Sequence, residues 1–182
     1  MRSQKTIQMA EIALMSAVLC VISPFTIPVP ASPVPLSLAL FAVYLAAVLL
    51  GAKRGALSVL VYLLLGMVGL PVFSGFSGGF GILAGPTGGY LVGYIPCALL
   101  IGYLVERKGS RTVWNVGAMV LGTIVCYLLG TLWFLVMMEG TYTIKQALFV
   151  CAVPYLLFDV VKIGLAGSIS VPVRRMLKKA GM

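Results

Sequence analysis

Six long apolar blocks limit what this chain can fold into more than any other feature of its sequence. They cover residues 7–28, 34–50, 55–72, 87–105, 113–138 and 145–171. A membrane-spanning helix needs roughly 20 apolar residues, and a backbone in lipid must satisfy its own hydrogen bonds, which favours helices. Only 9% of the residues are charged, against about a quarter in a soluble domain. We therefore predict an all-α integral membrane protein, with six transmembrane helices in a single membrane domain over residues 1–182.

The basic residues predict the orientation of this helical bundle. Of the 13 Lys and Arg residues, all but Lys145 and Lys162 lie before the first block, after the last, or between the second and third or fourth and fifth. With an even number of spans these clusters share one side, and the positive-inside tendency places both termini in the cytoplasm. The same clusters account for the net charge of +9, because they set the membrane topology and attract the anionic lipid of the bilayer. We predict no nucleic-acid partner.

The chain lacks the side chains that most enzymes need. It has no histidine and no GxxxxGK[ST] phosphate loop, so neither a histidine-activated nucleophile nor a nucleotide site of that type can be assembled. The four cysteines, Cys20, Cys97, Cys126 and Cys151, lie in apolar blocks without metal-ligand spacing and are expected to be packing residues. We predict a protein that is not an enzyme and has no metal or cofactor. Energy for transport must then come from an ion gradient or another polypeptide.

Asp159 and Lys162 lie near the middle of the sixth block, where each charge costs about 2.5–3.5 kcal/mol on insertion scales. Their i, i+3 spacing places them on one helix face, where they can pair. Pro154, about one turn upstream, can kink the helix near the same level. A salt bridge that only orders the bundle is one interpretation. A ligand site is favoured, because an apolar pair would order a bundle at lower cost.

A site with one carboxylate and one ammonium suits a small polar molecule that carries both donors and acceptors. It suits a bare cation poorly, because Lys162 would repel the ion. A proton relay between Asp159 and Lys162 remains an alternative.

A glycine-rich extracellular loop, residues 69–89, connects the third and fourth blocks. It ends in GPTGGY, where Pro86 and Thr87 are typical of a helix start. The N–H groups of such a start favour an anion, and glycine lets a ligand approach the backbone closely. Tight helix contacts, as in Gly89-x-x-x-Gly93, are the alternative. Aromatic side chains that can cover an apolar ligand are Phe73, Phe76, Phe80 and Tyr90.

Four stretches of the chain carry a distinctive pattern. The run from Gly66 to Gly93 reads GMVGLPVFSG…GG…GPTGGYLVG, and residues 159–166 read DVVKIGLA. The first block contains Ala13-x-x-x-Ala17, and residues 29–37 read VPASPVPLS. Together they resemble the BioY family, the biotin-specific substrate-binding (S) components of energy-coupling factor (ECF) transporters. In order, they are similar to the family's signature run, its last-helix D-x-x-K-x-x-L-A, the small-residue face that contacts a coupling subunit, and its first loop. The likeness covers nearly the whole chain in order.

This resemblance implies a six-helix protein of the bacterial or archaeal cytoplasmic membrane that captures biotin. The partners it implies are a transmembrane coupling (T) subunit and two cytosolic ATPase subunits. As a hypothesis, Asp159 accepts N–H bonds from the ureido ring, and Lys162 donates to the ureido carbonyl or the carboxylate. The expected substrate-binding residues are Asp159, Lys162, Phe73, Gly75, Gly85, Thr87, Gly88, Gly89 and Tyr90, and the expected partner-interface residues are Ala13 and Ala17.

The chain departs from the family pattern at two places. Ser37-Leu38-Ala39 stands where a Thr-Leu-Gln-like run is expected, and no glycine lies beside Asp159. The alternatives that remain are an autonomous or proton-coupled carrier for biotin or another small vitamin, and a structural membrane-assembly protein. The latter would need no charge pair in mid-membrane.

Overall fold

The computed structural model describes residues 4–27, 35–108, 112–139, 143–151 and 153–179. The elements, in chain order, are α1 Gln4–Ile22, β1 Thr26–Ile27, β2 Leu36–Ser37, α2 Ala39–Met67, α3 Phe80–Leu83, α4 Gly88–Lys108, α5 Thr112–Met137, α6 Ile144–Cys151 and α7 Val153–Lys179. Five helical stretches in the described part of the chain are long and apolar enough to cross a membrane. The prediction of a multi-pass helical membrane protein is confirmed.

Helix α2 contains both the second and the third predicted spans, joined at Gly51. This residue has φ 83° and ψ −173° inside the helix, a conformation in the left-handed half of φ space that glycine adopts without a Cβ clash. The residue after this break, Ala52, is capped from another helix. Glu106 of α4 accepts the backbone N–H of Ala52 through Oε1 over 3.1 Å. The second and third predicted spans are therefore separated by a glycine break rather than by a loop.

Several predicted span boundaries differ from the structure. The first helix ends at Ile22 rather than near 28, and the second begins at Ala39 rather than 34, because residues 26–27 and 36–37 form two short strands. Thr26 pairs with Ser37 and Ile27 with Leu36 in an antiparallel register. The third span ends at Met67 rather than 72, where the glycine-rich loop begins. Irregular backbone at membrane depth is tolerated where it lines a cavity, and Pro35 and Ser37 do so.

The last predicted span corresponds to two helices, α6 and α7, and α7 continues to Lys179 rather than ending at 171. Pro154 is the second residue of α7, where its missing N–H would be unpaired in any case. Of the first-loop motif, residues 29–34 lie outside the described residues.

Buried side chains from α1, α2, α4, α5, α6 and α7 belong to one contiguous apolar cluster. Helix α4 lies at its centre and contacts both α2 and α5. Gly102 of α4 faces the backbone of Gly51 and Ala52 so closely that a Cβ there would overlap it. Outward-facing side chains of α5, such as Val120, Leu121 and Ile124, are exposed, as expected of surfaces that face lipid.

Candidate ligand-binding site

A cavity of about 250 Å³ lies among α2, α4, α5 and α7, close to the loops at one end of the bundle. Small-molecule sites usually enclose roughly 300–1,000 Å³ and combine apolar walls with a few convergent polar groups. Most of its walls are aromatic, aliphatic or hydroxyl-bearing. They consist of Pro35, Ser37, Leu40, Phe73, Ser74, Ser77, Ile82, Thr87, Tyr90, Leu91, Tyr94, Cys126, Tyr127, Tyr155, Asp159 and Lys162. The charged side chains among these described wall residues are Asp159 and Lys162.

Asp159 and Lys162 are almost completely buried, with 2% and 7% of their surface exposed. Lys162 Nζ donates to Asp159 Oδ1 over 2.9 Å. Tyr127 Oη, from α5, donates to the other carboxylate oxygen, Oδ2. Each oxygen of the carboxylate therefore has one donor, and the charges of Asp159 and Lys162 cancel. A buried ion pair is tolerated only with such hydrogen bonds in place.

Tyr90 and Tyr127 form a fixed aromatic corner of the cavity. Their rings meet edge to face with centroids 6.1 Å apart, and Tyr90 Oη lies 3.1 Å from Thr131 Oγ1. Gly130 leaves the space that the Tyr90 ring occupies, because a Cβ at Gly130 would overlap that ring. Three residues within about one turn of α5, Tyr127, Gly130 and Thr131, thus hold Tyr90 in place.

Phe73 is a completely buried part of the cavity wall although it belongs to the glycine-rich loop. Its ring packs edge to face on Tyr62, with centroids 5.6 Å apart, and lies where a Cβ on Gly66 would be. The loop backbone is tied to the end of α2 by a 2.7 Å hydrogen bond from Gly79 N to Gly66 O. The segment is therefore packed inward as a wall of the site.

Residues 68–79 contribute to the wall at this end of the cavity, and residues 23–27 pack against them; we call these two segments the cap loops. Gly75 N donates to Pro24 O over 3.0 Å, and Phe25 meets Phe76 edge to face with centroids 5.7 Å apart. Phe76 has φ 56°, in the left-handed region that residues other than glycine adopt infrequently. The cap loops are thus joined by one backbone contact and one exposed aromatic pair.

The model of the BioY family matches residues 1–179 of this chain. The chain belongs to the BioY family. It is 41% identical over 150 residues to "Biotin transporter BioY" of Thermotoga maritima, which covers 82% of the chain and 86% of that protein. It is 31% identical over 164 residues to "Biotin transporter BioY2" of Lactococcus lactis subsp. cremoris, covering 89% and 87%. The sequence-based assignment to BioY is confirmed.

A crystal structure described as the S-component for biotin from an ECF-type ABC transporter superposes on this BioY chain with a TM-score of 0.87. The two sequences are 26% identical, and the match covers 96% of this chain and 94% of the other. The expected S-component fold is confirmed, and the relatives to which the chain is similar are transporters rather than enzymes.

Five of the nine expected substrate-binding residues line the cavity of this BioY protein: Phe73, Thr87, Tyr90, Asp159 and Lys162. The other four expected residues are glycines that lie outside the described wall: Gly75, Gly85, Gly88 and Gly89. Gly75 belongs to the cap loops. Gly85 accepts a hydrogen bond from Trp133 Nε1 over 3.0 Å, and Gly88 N donates to Gly85 O over 3.0 Å. A role of these glycines in ligand contact remains a prediction.

Packing explains several glycines at the start of α4. A Cβ on Gly88 would overlap the Leu83 carbonyl, and one on Gly89 would overlap Trp133 of α5. A Cβ on Gly93 would lie 3.5 Å from Cys126 Sγ of α5, an ordinary contact. Of the Gly89-x-x-x-Gly93 pair, Gly89 therefore serves the tight helix contact that the spacing left open as an alternative.

The sequence analysis missed Tyr127, although a pattern in α5 was available to find it. Thr123, Tyr127 and Thr131 follow one another at intervals of four on one face of an otherwise apolar helix, and such polar side chains in a membrane helix face the bundle interior. The hydroxyls of Ser37, Ser74 and Ser77 were also missed, because their approach to the cavity depends on how β2 and the cap loops fold. Cys126, expected to be a packing residue, lines the cavity as well.

Ala13 and Ala17, the expected partner-interface residues, are both exposed on α1. The opposite face of α1 packs on α2, where Ser16 Oγ donates to Ser58 O over 3.0 Å. Glu11 Oε2 pairs with Arg54 Nη1 at 2.5 Å. Helix α1 is thus held by one face and presents its small residues outward.

Proposed function

We propose that this chain captures biotin outside the cell and serves as the substrate-specificity subunit of an ECF-type transporter in the cytoplasmic membrane of a bacterium or archaeon. The observation that carries the proposal is the hydrogen-bonded group of Asp159, Lys162 and Tyr127 at a cavity whose other walls are mostly apolar and aromatic. The names of the relatives and of the matching S-component support biotin as the ligand.

The chemistry of biotin suits this cavity. Its ureido ring carries two N–H donors and a carbonyl acceptor and is uncharged. Asp159 accepts from a ureido N–H, and Lys162 donates to the ureido carbonyl or to the carboxylate. The thioether bicycle packs against aromatic rings such as Tyr90, to which sulfur makes favourable contacts of about 0.3–1.5 kcal/mol. A bare cation fits poorly, because the ammonium of Lys162 lies beside the only described carboxylate in the wall.

The cap loops form the outer gate of the proposed site. With both termini in the cytoplasm, as the basic clusters predict, residues 23–27 and 68–79 lie on the extracellular side. Gly75 is in this gate, and the start of α4 with Gly85, Thr87, Gly88 and Gly89 is expected to hold the remainder of the ligand. Opening requires the aromatic pair of Phe25 and Phe76 to separate while Phe73 stays packed on α2.

Transport against a gradient requires a coupling module, which we infer to be a transmembrane T subunit and two cytosolic ATPases. The exposed Ala13 and Ala17 on α1 support a helix–helix contact, because small residues let membrane helices approach closely. The salt bridge between Glu11 and Arg54 holds α1 against α2, so that this face is presented by a braced helix.

Calorimetric titration of biotin into the purified protein tests the proposal, with Asp159→Ala and Lys162→Ala beside the parent. We expect tight binding by the parent and loss of at least about tenfold in affinity for each variant, because each removes a charge-assisted hydrogen bond. Lys53→Ala, an exposed lysine of α2, is the matched control. A folded parent that does not bind biotin would reject biotin as the substrate.

An autonomous, proton-coupled carrier is the second candidate, and the direct contact between Asp159 and Lys162 favours it, because the two groups can exchange a proton. Uptake of labelled biotin in cells with and without the coupling module separates the two mechanisms. Uptake that persists without the module and stops when the proton gradient is collapsed would replace the first mechanism with the second.

A further inference from the structure

The carboxylate of Asp159 is held from two different helices. Lys162 Nζ, on α7 like Asp159 itself, donates to Oδ1, whereas Tyr127 on α5 donates to Oδ2. A carboxylate has about four acceptor positions, so each oxygen keeps one for a ligand. Because the two donors come from separate elements, they fix the plane of the carboxylate as well as its position.

We propose that Tyr127 is a positioning residue that turns the Asp159 carboxylate toward the cavity and sets the preference for an uncharged urea-type head group. This inference rests on the proposed function, since it concerns the same site. Tyr127 stands in a chain of fixed contacts: Tyr90 packs edge to face on its ring, and Gly130 keeps Tyr90 in place. The hydroxyl of Tyr127 therefore reaches Asp159 from a rigid support.

The charge of the group explains the preference. Lys162 cancels the charge of Asp159, and the Tyr127 hydroxyl occupies an acceptor position on Oδ2 that a second cation would otherwise use. A neutral urea can bind such a group through one N–H and one carbonyl. Without the hydroxyl, Oδ2 loses the hydrogen bond from Tyr127. A cationic head group can replace that bond better than a neutral one, because charge-assisted hydrogen bonds are stronger.

Tyr127→Phe tests this inference, with biotin and 2-iminobiotin as ligands at neutral pH. In 2-iminobiotin a guanidine, which is protonated, replaces the urea. Dissociation constants are measured by competition with labelled biotin for the parent and the variant. We expect biotin to bind roughly 10- to 100-fold more weakly to the variant, in keeping with loss of a hydrogen bond to a charged group. The affinity for 2-iminobiotin should fall several-fold less. The ratio of the affinity for 2-iminobiotin to the affinity for biotin should therefore be higher in the variant than in the parent.

Tyr44→Phe is the matched control. Tyr44 is completely buried, its hydroxyl lies 2.5 Å from Thr123 Oγ1 on α5, and it is outside the cavity wall. This variant should leave the ratio of the two affinities unchanged even where it lowers the Tm. Equal losses for both ligands in Tyr127→Phe would indicate a packing or direct-contact role and overturn the inference, as would unchanged binding. A parent that binds neither ligand would instead overturn the proposed function and the inference with it.

Discussion

Glu106 of α4 accepts a hydrogen bond from the backbone N–H of Ala52, 3.1 Å away, and so caps a helix segment to which it does not belong. The need for this cap arises at Gly51, whose φ of 83° interrupts α2. Charged acceptors are favoured at helix starts, since the unpaired N–H groups there carry partial positive charge. The two halves of α2 are therefore joined by a glycine and fastened by a neighbouring helix.

Removal of this cap should destabilise the protein without changing the site. We expect Glu106→Ala to lower the free energy of unfolding by about 0.5–1 kcal/mol, the lower part of the range for helix caps, because the side chain is exposed. Glu106→Gln keeps an acceptor and should lose less. Thermal unfolding in detergent checks this, with Glu139→Ala, another exposed glutamate, as control. Equal Tm values for the alanine variants at 106 and 139 would contradict it.

Gly66→Ala should weaken ligand binding through Phe73. A Cβ at this position overlaps the Phe73 ring, which must shift into the cavity or away from it. Overpacking of this kind costs about 1–3 kcal/mol, so we expect roughly a 5- to 150-fold loss of biotin affinity by calorimetry. Gly81→Ala, where a Cβ would meet nothing within 4 Å, is the control. The combination with Phe73→Leu should recover part of the loss, and a loss that is equal at both glycines would refute this explanation.

The exposed pair of Phe25 and Phe76 should slow the release of ligand. Aromatic pairs contribute about 0.5–1.5 kcal/mol, so Phe25→Leu and Phe76→Leu should each speed dissociation of labelled biotin about 2- to 10-fold. Because either change removes the same contact, the double variant should dissociate no faster than the faster single one. Phe80→Leu, exposed and outside the pair, should leave the rate unchanged. Additive effects in the double variant would show that the rings act independently.

The helical class and the polar centre of the site could be predicted from the sequence because both depend on local features. Apolar blocks of membrane-spanning length predict helices, and Asp159 and Lys162 stand out because charges in such a block are costly. Their mutual contact follows from i, i+3 spacing within one helix, and the structure has it at 2.9 Å.

The rest depends on contacts between segments that are distant in sequence. Tyr127 reaches Asp159 only because α5 and α7 pack side by side, and single-helix spacing cannot predict that register. The glycines at 85, 88 and 89 were interpreted as ligand contacts from the chemistry of a helix start. In the structure Gly88 packs against Leu83 and Gly89 against Trp133. Glycine permits tight packing as readily as it permits the approach of a ligand, so the residue type alone could not decide between them. The break at Gly51 was likewise hidden, because its neighbours Lys53 and Arg54 predicted a loop.

Helix α1 should matter for uptake and not for binding. Ala13→Leu and Ala17→Leu enlarge side chains that are exposed and distant in the chain from the cavity wall, so biotin affinity should stay within about twofold of the parent. The larger side chains would prevent a close helix contact with a coupling subunit. A loss of about 1–2 kcal/mol in the free energy of that contact predicts roughly tenfold slower uptake in cells that contain the module. Val120→Leu, an exposed residue of α5, is the matched control. Normal uptake by both alanine variants would exclude this face of α1 as the partner surface.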